Sequence, residues 1–315
     1  MDRRRFLATV GTTAALSGLG ADRALADDRA ATTAAHFDAA TVKAIRNRIQ
    51  PIRSDEYGAR QEQARRLMKD NAIDAIFVEG GTTLAYFTGL HWWLSERLFA
   101  MVLPQHGDPF FISPKFEEGR AREKLGNDVK FYTWEEHEKP IERIRDGMKD
   151  RGLLGATLGI EETTRYYAVE QLQQRLPTLK LRSATPVTAG CRSVKSPHEI
   201  ELMQVANDIT KQVYLQAQRE LREGMSEKEL AAIIAARYEE FGVEGDALVL
   251  FGEASAYPHG LKKDVLLKEG DIVLIDDGCK VEGYGSDITR TWRSASPAPR
   301  CRACSRSCAA HRARR

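Results

Sequence analysis

Two aspartates in the last third of the chain have the spacing of a paired-carboxylate site. Asp276 lies in the segment 271–278, and Asp287 lies in the next segment with a strand-like pattern. Both segments carry the apolar residues expected of strands. An antiparallel hairpin with its turn centred on Val281-Glu282 would place the two carboxylates directly opposite each other, about 5 Å apart at Cα and on one face.

Two like charges this close require compensation by a shared proton, a basic side chain or a cation. Carboxylate oxygens suit Mn²⁺, Mg²⁺ or Ca²⁺, and with an imidazole they also suit Zn²⁺ or Co²⁺. A second interpretation stays open, in which Asp276 and Asp277 end a strand and enter a turn while Asp287 pairs with Arg290. The register is also open, because Val-Glu is a poor centre for a two-residue hairpin turn.

A single histidine precedes the first of these aspartates. His259 stands between Pro258 and Gly260 after an apolar segment. A histidine held on a rigid loop is a candidate for catalysis, since loops carry many functional residues. The alternative is a histidine that only satisfies hydrogen bonds in the fold.

Aromatic residues in the first half of the chain form a second candidate feature. Trp92 and Trp93 follow Gly89 on a predicted loop that also contains Arg97. They could simply pack in the core or on the surface. Alternatively, they line the mouth of the active site, where substrate enters.

The elements that would position these residues fall into two domains. Residues from about 60 to 185 alternate between helical and strand patterns, which predicts a mixed α/β domain that we assign to residues 27–190. Residues 186–192 are predicted to be a linker. The predicted strands of this domain are 75–78, 99–104, 109–113, 129–132 and 158–160.

Residues 191–293 are predicted to form an α+β domain with a largely antiparallel sheet. Two helices begin with capping boxes at Ser196 and Ser226. Three strands follow, at 248–251, 271–276 and 284–292. The residues predicted to face the core are Ile200, Met203, Ile209, Val213, Ala217 and Leu221 of the first helix and Leu230, Ile234, Tyr238 and Phe241 of the second.

Composition excludes several protein classes. Apolar residues at 42% and charged residues at 29% are ordinary for a globular protein and exclude collagen-like, wholly disordered and multi-span membrane classes. The formal net charge of +2 combines an acidic body with basic ends. We therefore expect neither a nucleic-acid partner nor a membrane span.

The two basic ends have different explanations. Residues 1–26 combine consecutive arginines with a short apolar stretch and Ala24-Leu25-Ala26, which predicts a Tat-type signal peptide and export to the periplasm or beyond. Residues 294–315 contain no Leu, Ile, Val or aromatic residue and cannot form a core. A zinc knuckle and a basic nucleic-acid tail are possible interpretations, but a frameshifted or disordered segment is favoured.

The combined motifs resemble the pita-bread metallopeptidases of family M24, which include Xaa-Pro aminopeptidases, prolidases, methionine aminopeptidases and the non-peptidase creatinase. An N-terminal creatinase/prolidase-like domain is typical of the Xaa-Pro aminopeptidase and dipeptidase branch. The motifs that carry the resemblance occur in family order at 85–89, 192–200, 223–227, 258–260, 276–278 and 286–291.

The resemblance implies specific roles. Asp276 and Asp287 would be the first two ligands of a dinuclear Mn²⁺, Co²⁺ or Zn²⁺ centre, with Asp287 bridging both ions. Thr289 would lie beside Asp287, and His259 would contact the substrate near the scissile bond. Substrates would be peptides with proline in the second position, and the protein could be a homodimer.

The family also has three further ligands, one His and two Glu, after the aspartate pair. No Glu follows Trp292 in this sequence. We therefore expect an incomplete pita-bread domain and an inactive chain. The alternatives are a non-catalytic pseudo-peptidase that binds peptides, or a creatinase-like C–N hydrolase or lyase on the same fold.

Overall fold

The computed structural model describes residues 36–294. The predicted signal peptide at 1–26 and the segment 295–315 lie outside the described residues. Within the described part, no helix has the length and apolar character needed to cross a membrane.

The first half of the described chain is built around a six-stranded mixed sheet in the order β4-β3-β2-β1-β5-β6. All residues of β1, β2 and β3 are buried, so these strands are continuous apolar runs and not alternating patterns. The five predicted strands are confirmed. The strand bounds are β1 Ala75–Glu79, β2 Ala100–Pro104, β3 Phe110–Pro114, β4 Lys130–Trp134, β5 Thr157–Ile160 and β6 Lys180–Ser183.

Helices cover both faces of this sheet. Side chains of α2, α3, α4 and α7 pack in the core on one face, and those of α5 and α6 pack in the core on the other. This arrangement confirms the mixed α/β prediction. The helix bounds are α1 Ala39–Arg46, α2 Ser54–Asp70, α3 Thr82–Thr88, α4 Glu118–Leu125, α5 Pro140–Asp150, α6 Tyr166–Arg175 and α7 Thr185–Ser193.

The predicted linker at 186–192 is wrong, because these residues lie within α7. Pro186 occupies the first turn, where a proline costs the helix no hydrogen bond. Val187 and Cys191 are buried against the sheet. Tertiary burial of this apolar face stabilises a helix that the Pro and Gly content alone does not predict.

The second half consists of two helices packed on an antiparallel sheet, as predicted. The strand order is β10-β8-β7, and the short strand β9 pairs with β8. Side chains of both helices and the sheet share one core. The bounds are α8 Pro197–Glu220, α9 Glu227–Glu240, β7 Gly245–Phe251, β8 Ile272–Val281, β9 Tyr284–Gly285 and β10 Ile288–Arg293.

Both predicted capping boxes are confirmed, at Ser196 and Ser226. The four core residues predicted for the second helix are fully buried, although Phe241 is the C-cap of α9 and not part of the helix. The predicted face of α8 is wrong at Ile200, which is 56% exposed, while Leu202 and Val205 are fully buried. The buried stripe therefore starts two residues later than the apolar pattern of the first turn suggests.

Candidate active site

The register of the β8–β10 hairpin differs from the prediction. Asp276 is paired with Thr289, and Asp277 is paired with Ile288. The turn residues are Glu282 and Gly283, with φ angles of 51° and 85°. A tight hairpin turn favours positive φ at both central positions, and a glycine adopts this conformation without steric cost. The turn therefore lies one residue later than predicted, and the two aspartates are not directly opposite.

The aspartates nevertheless share a site. A turn displaced by one residue changes the pairing by two, which leaves every side chain on its predicted face. Asp276 and Asp287 line one cavity of about 550 Å³, together with Glu244 and Asp246. Asp276 lies in the middle of β8, so the interpretation that it ends a strand is wrong. The cavity concentrates acidic groups and favours cations.

A close approach of the two chain segments fixes the position of Asp287. A Cβ atom added to Gly278 would lie 2.1 Å from the carbonyl oxygen of Ser286, so only glycine fits there. The Ser286 amide donates to the carbonyl of Cys279 at 3.0 Å, and its hydroxyl lies 2.7 Å from the hydroxyl of Thr210 in α8. The residue before Asp287 is thus bound to both the sheet and the helix.

Thr289 lies beside the other aspartate, not the one expected. Its hydroxyl donates a hydrogen bond to Oδ1 of Asp276. The resemblance implied a position beside Asp287, and the hydrogen bond of the Thr289 side chain is instead with Asp276. The hydrogen bond leaves Oδ2 of Asp276 free to act as a ligand and fixes the rotation of the carboxylate.

Asp277 is a buried acid that sequence analysis did not select. It is 5% exposed, and the Tyr238 hydroxyl donates a hydrogen bond to its Oδ1. Burial raises the pKa of Asp277 to about 7, against the lowering effect of that hydrogen bond. The alternation of β8 could have revealed it, because Val273 and Ile275 occupy the same buried face.

The chemistry of Asp276 and Asp287 fits part of a divalent-metal site. Both supply hard carboxylate oxygens to one acidic cavity, which suits a hard divalent ion such as Mn²⁺. Between residues 36 and 294, no three His, Cys, Asp or Glu side chains are grouped closely enough to hold an ion. Asp276 and Asp287 are the two candidate ligands among the described residues.

Replacement of Thr289 by valine is expected to weaken divalent-ion binding about tenfold, because Asp276 loses the donor that orients it. The free energy of unfolding should change by less than about 1 kcal/mol, since the hydrogen bond is exposed. Titration with Mn²⁺ followed by electron paramagnetic resonance measures the first quantity. Thr291→Val, an exposed change on the same strand, is the control, and equal affinities of the two variants would contradict the orienting role.

His259 does not join the two aspartates. It is exposed on the loop between β7 and β8, where Gly260 donates to the Tyr257 carbonyl at 3.1 Å. It is absent from the lining of the aspartate cavity. A contact of His259 with substrate therefore stays a prediction.

Of the three residues predicted to line the mouth of the active site, the two tryptophans line a cavity and the arginine does not. Trp92 and Trp93 line a second cavity of about 560 Å³. Trp92 is 6% exposed and stacks on Phe99 at 4.2 Å, so packing is its main role, whereas Trp93 is 78% exposed. Arg97 forms salt bridges with Glu136 and with its neighbour Glu96, and it lies outside the lining of this cavity.

Known proteins share both halves of this arrangement. A model of the creatinase/prolidase N-terminal domain matches residues 60–194, and a model of metallopeptidase family M24 matches residues 201–313. An uncharacterised peptidase from Schizosaccharomyces pombe is 31% identical over 261 residues, which is 78% of this chain and 56% of the relative. The Xaa-Pro dipeptidase of Pyrococcus furiosus is 29% identical over 241 residues, which is 76% of this chain and 65% of the relative.

A solved structure shows the same fold. The prolidase from Thermococcus sibiricus superposes with a TM-score of 0.70 at 26% identity, over 78% of this chain and 67% of the prolidase. The chain spans less than two thirds of the length of the two curated relatives above.

Proposed function

Because this chain belongs to metallopeptidase family M24 and carries the creatinase/prolidase N-terminal domain, we propose that it acts as a metal-dependent exopeptidase of the Xaa-Pro type. It would cleave the bond between an N-terminal residue and a following proline. The observation that carries the proposal is the β8–β10 hairpin, which brings Asp276 and Asp287 to one acidic cavity. The Xaa-Pro dipeptidase and prolidase names of similar proteins support the substrate class.

The proposed site assigns one task to each residue of the hairpin. Asp276 and Asp287 would hold divalent ions, with Mn²⁺, Co²⁺ or Zn²⁺ as candidates. Bound ions would polarise the scissile carbonyl and lower the pKa of the attacking water. Thr289 orients Asp276, while Gly278 and Ser286 fix the backbone that carries Asp287. The acidic cavity attracts the positively charged amino terminus of a peptide.

A metal titration and a hydrolysis assay with the full chain test the proposal. We expect Mn²⁺ to bind and Asp287→Asn to weaken this binding at least about tenfold, because one of two described ligands is lost. Asp128→Asn, an exposed change outside the cavity, is the control. Equal Mn²⁺ affinities of the Asp287→Asn variant and the Asp128→Asn control would contradict the metal site.

A non-catalytic peptide-binding protein is the second candidate. Two carboxylates from the described residues hold a transition metal weakly, which favours slow or absent turnover by this chain. Hydrolysis of an Ala-Pro peptide in the presence of Mn²⁺ would decide for the enzyme and against the binding protein. Creatinase-like C–N hydrolysis is a further alternative. Hydrolysis of creatine by the full chain would reveal this activity.

We also propose that the protein is exported by the Tat route and acts in the periplasm or outside the cell, as a homodimer. The support for export is the arginine run Arg3-Arg4-Arg5 with Ala24-Leu25-Ala26. Replacement of the three arginines by lysine is expected to retain the precursor in the cytoplasm. Cell fractionation measures how much precursor stays in the cytoplasm, and unchanged export of the lysine variant would contradict the Tat assignment. Analytical sedimentation tests the homodimer.

A further inference from the structure

Hydroxyl side chains lie against the face of the β8–β10 hairpin that is opposite the proposed metal ligands. Side chains alternate along β8, so Asp276 lines the acidic cavity while the residues on either side of it are buried against the helices. Three hydroxyl residues of the helices reach this buried face, namely Thr210 and Tyr214 of α8 and Tyr238 of α9. A buried hydroxyl needs a hydrogen-bond partner, and all three find one in the hairpin.

A chain of hydrogen bonds runs from one strand of the hairpin through both helices to the other strand. The Cys279 amide donates to the Ser286 hydroxyl at 3.0 Å, and that hydroxyl lies 2.7 Å from the Thr210 hydroxyl. The Thr210 hydroxyl lies 3.1 Å from the Tyr238 hydroxyl, which also contacts Oδ1 of Asp277. The other oxygen of this carboxylate has no partner within the described residues, so Tyr238 alone orients it. The chain therefore joins the residue before one proposed ligand to the residue after the other.

Tyr214 lies one turn further along α8 and binds the remaining neighbours of the two ligands. Its hydroxyl lies within hydrogen-bond distance of two backbone carbonyls, that of Ile288 and, at 2.9 Å, that of Ile275. A hydroxyl has one proton, which these two acceptors share. Ile275 precedes Asp276, and Ile288 follows Asp287. Each proposed ligand is thus flanked on both sides by a residue that a helix hydroxyl holds.

The strand that follows Asp287 lies at the edge of the sheet. It is β10, which pairs with β8 on one side, and the described residues provide no strand on its other side. A strand paired on one side opens more easily than one paired on both. The acids that line the cavity also repel each other. The hydrogen bonds from α8 and α9 hold the hairpin from its core side against this repulsion.

We propose that Thr210, Tyr214 and Tyr238 are positioning residues of the metal site. All three lie outside the lining of the aspartate cavity, so they act through the backbone on both sides of Asp276 and Asp287. By fixing this backbone, they set the distance between the two carboxylates. The proposal rests on the proposed metal-dependent function and adds the core residues on which metal affinity depends. Ligands that are held in place before the ion arrives bind it more tightly.

Two replacements at one position separate the hydroxyl from the rest of the side chain. Thr210→Val keeps the shape and removes the hydroxyl, whereas Thr210→Ser keeps the hydroxyl and removes a buried methyl group. Both are expected to lower the Tm of the full chain by about 3 °C. Thr210→Val alone should weaken Mn²⁺ binding, about fivefold, which is less than the loss of about tenfold or more that is typical of groups bonded directly to a ligand. Titration followed by electron paramagnetic resonance, well below the Tm, measures this affinity.

Tyr214→Phe is expected to weaken Mn²⁺ binding by a similar factor of about five. Its matched control is Tyr86→Phe, which removes a hydroxyl that donates to the Cys191 carbonyl at 2.9 Å in the first half of the described chain. The control for Thr210→Val is Thr188→Val, which removes a fully buried hydroxyl of α7. Both controls should lower the Tm and leave Mn²⁺ affinity unchanged, because they lie outside the cavity and do not contact the hairpin.

The outcomes separate the positioning role from the proposed function. If Asp287→Asn weakens Mn²⁺ binding and Thr210→Val does not, the inference is overturned and the metal site stands. An equal loss of affinity in Thr210→Ser, or in Thr188→Val, also overturns it, since packing or general stability would then be the cause. If Asp287→Asn binds Mn²⁺ like the unmodified chain, the metal site and the inference both fail. Affinities as expected without hydrolysis of an Ala-Pro peptide overturn the peptidase activity alone.

Discussion

Replacement of Glu199 by alanine is expected to lower the free energy of unfolding by about 4 kcal/mol. The change leaves the Arg60 guanidinium buried without its carboxylate, and an uncompensated buried charge is costly. It also removes the acceptor for the Tyr284 hydroxyl and for the Ser196 amide at the start of α8. Urea unfolding followed by circular dichroism measures the loss.

Glu239→Ala is the matched control for this prediction. Glu239 lies on α9, is exposed, and should change the free energy of unfolding by less than about 0.5 kcal/mol. Tyr284→Phe isolates one hydrogen bond of the cluster and should cost about 1 kcal/mol. A Glu199→Ala variant as stable as Glu239→Ala would show that the Arg60–Glu199 pair does not hold the two halves together.

Replacement of Gly278 by alanine is expected to cost about 3 kcal/mol of stability and to abolish Mn²⁺ binding. The added Cβ would lie 2.1 Å from the Ser286 carbonyl oxygen, and the Ser286 backbone is held in place because its amide donates to the Cys279 carbonyl at 3.0 Å. Relief of this overlap requires the strands to separate next to Asp287. The distance between the two proposed ligands then changes, so stability and metal affinity should fall together.

Gly285 offers the control on the opposite strand of the same hairpin. A Cβ atom there would approach only the Cys279 carbonyl oxygen, at 3.9 Å, which is ordinary contact. Gly285→Ala should therefore bind Mn²⁺ like the unmodified chain and unfold within about 0.5 kcal/mol of it. Retention of Mn²⁺ affinity in Gly278→Ala would show that the close approach to Ser286 does not position Asp287.

Much of the fold follows from local patterns. The fully buried strands β1 to β3 are predicted because continuous apolar runs bounded by polar residues have few other solutions. The caps at Ser196 and Ser226 are predicted because a capping box depends only on residues three apart. Helix α7 and the buried face of α8 could not be predicted in this way. The burial of Val187 and the exposure of Ile200 depend on which other elements pack against these helices.

Some features of the candidate site could likewise be predicted from the sequence, and others could not. Its acids could be selected from the sequence because their types, their motif and their strand-like context are local. The pairing of Asp276 with Thr289 could not be predicted from the sequence, because the strand register depends on the positive φ angles adopted at Glu282 and Gly283. The location of His259 outside the cavity likewise depends on the path of a long loop.

The sequence by itself therefore determined the family resemblance, which the two domain models confirm, and the identity of the proposed ligands. The tertiary structure alone decided which residues meet. Arg60 and Tyr284 lie 224 positions apart in the chain and are joined by one hydrogen bond of 2.7 Å. Contacts over such separations leave no periodic signal, because they depend on how complete elements pack and not on the spacing of neighbouring residues.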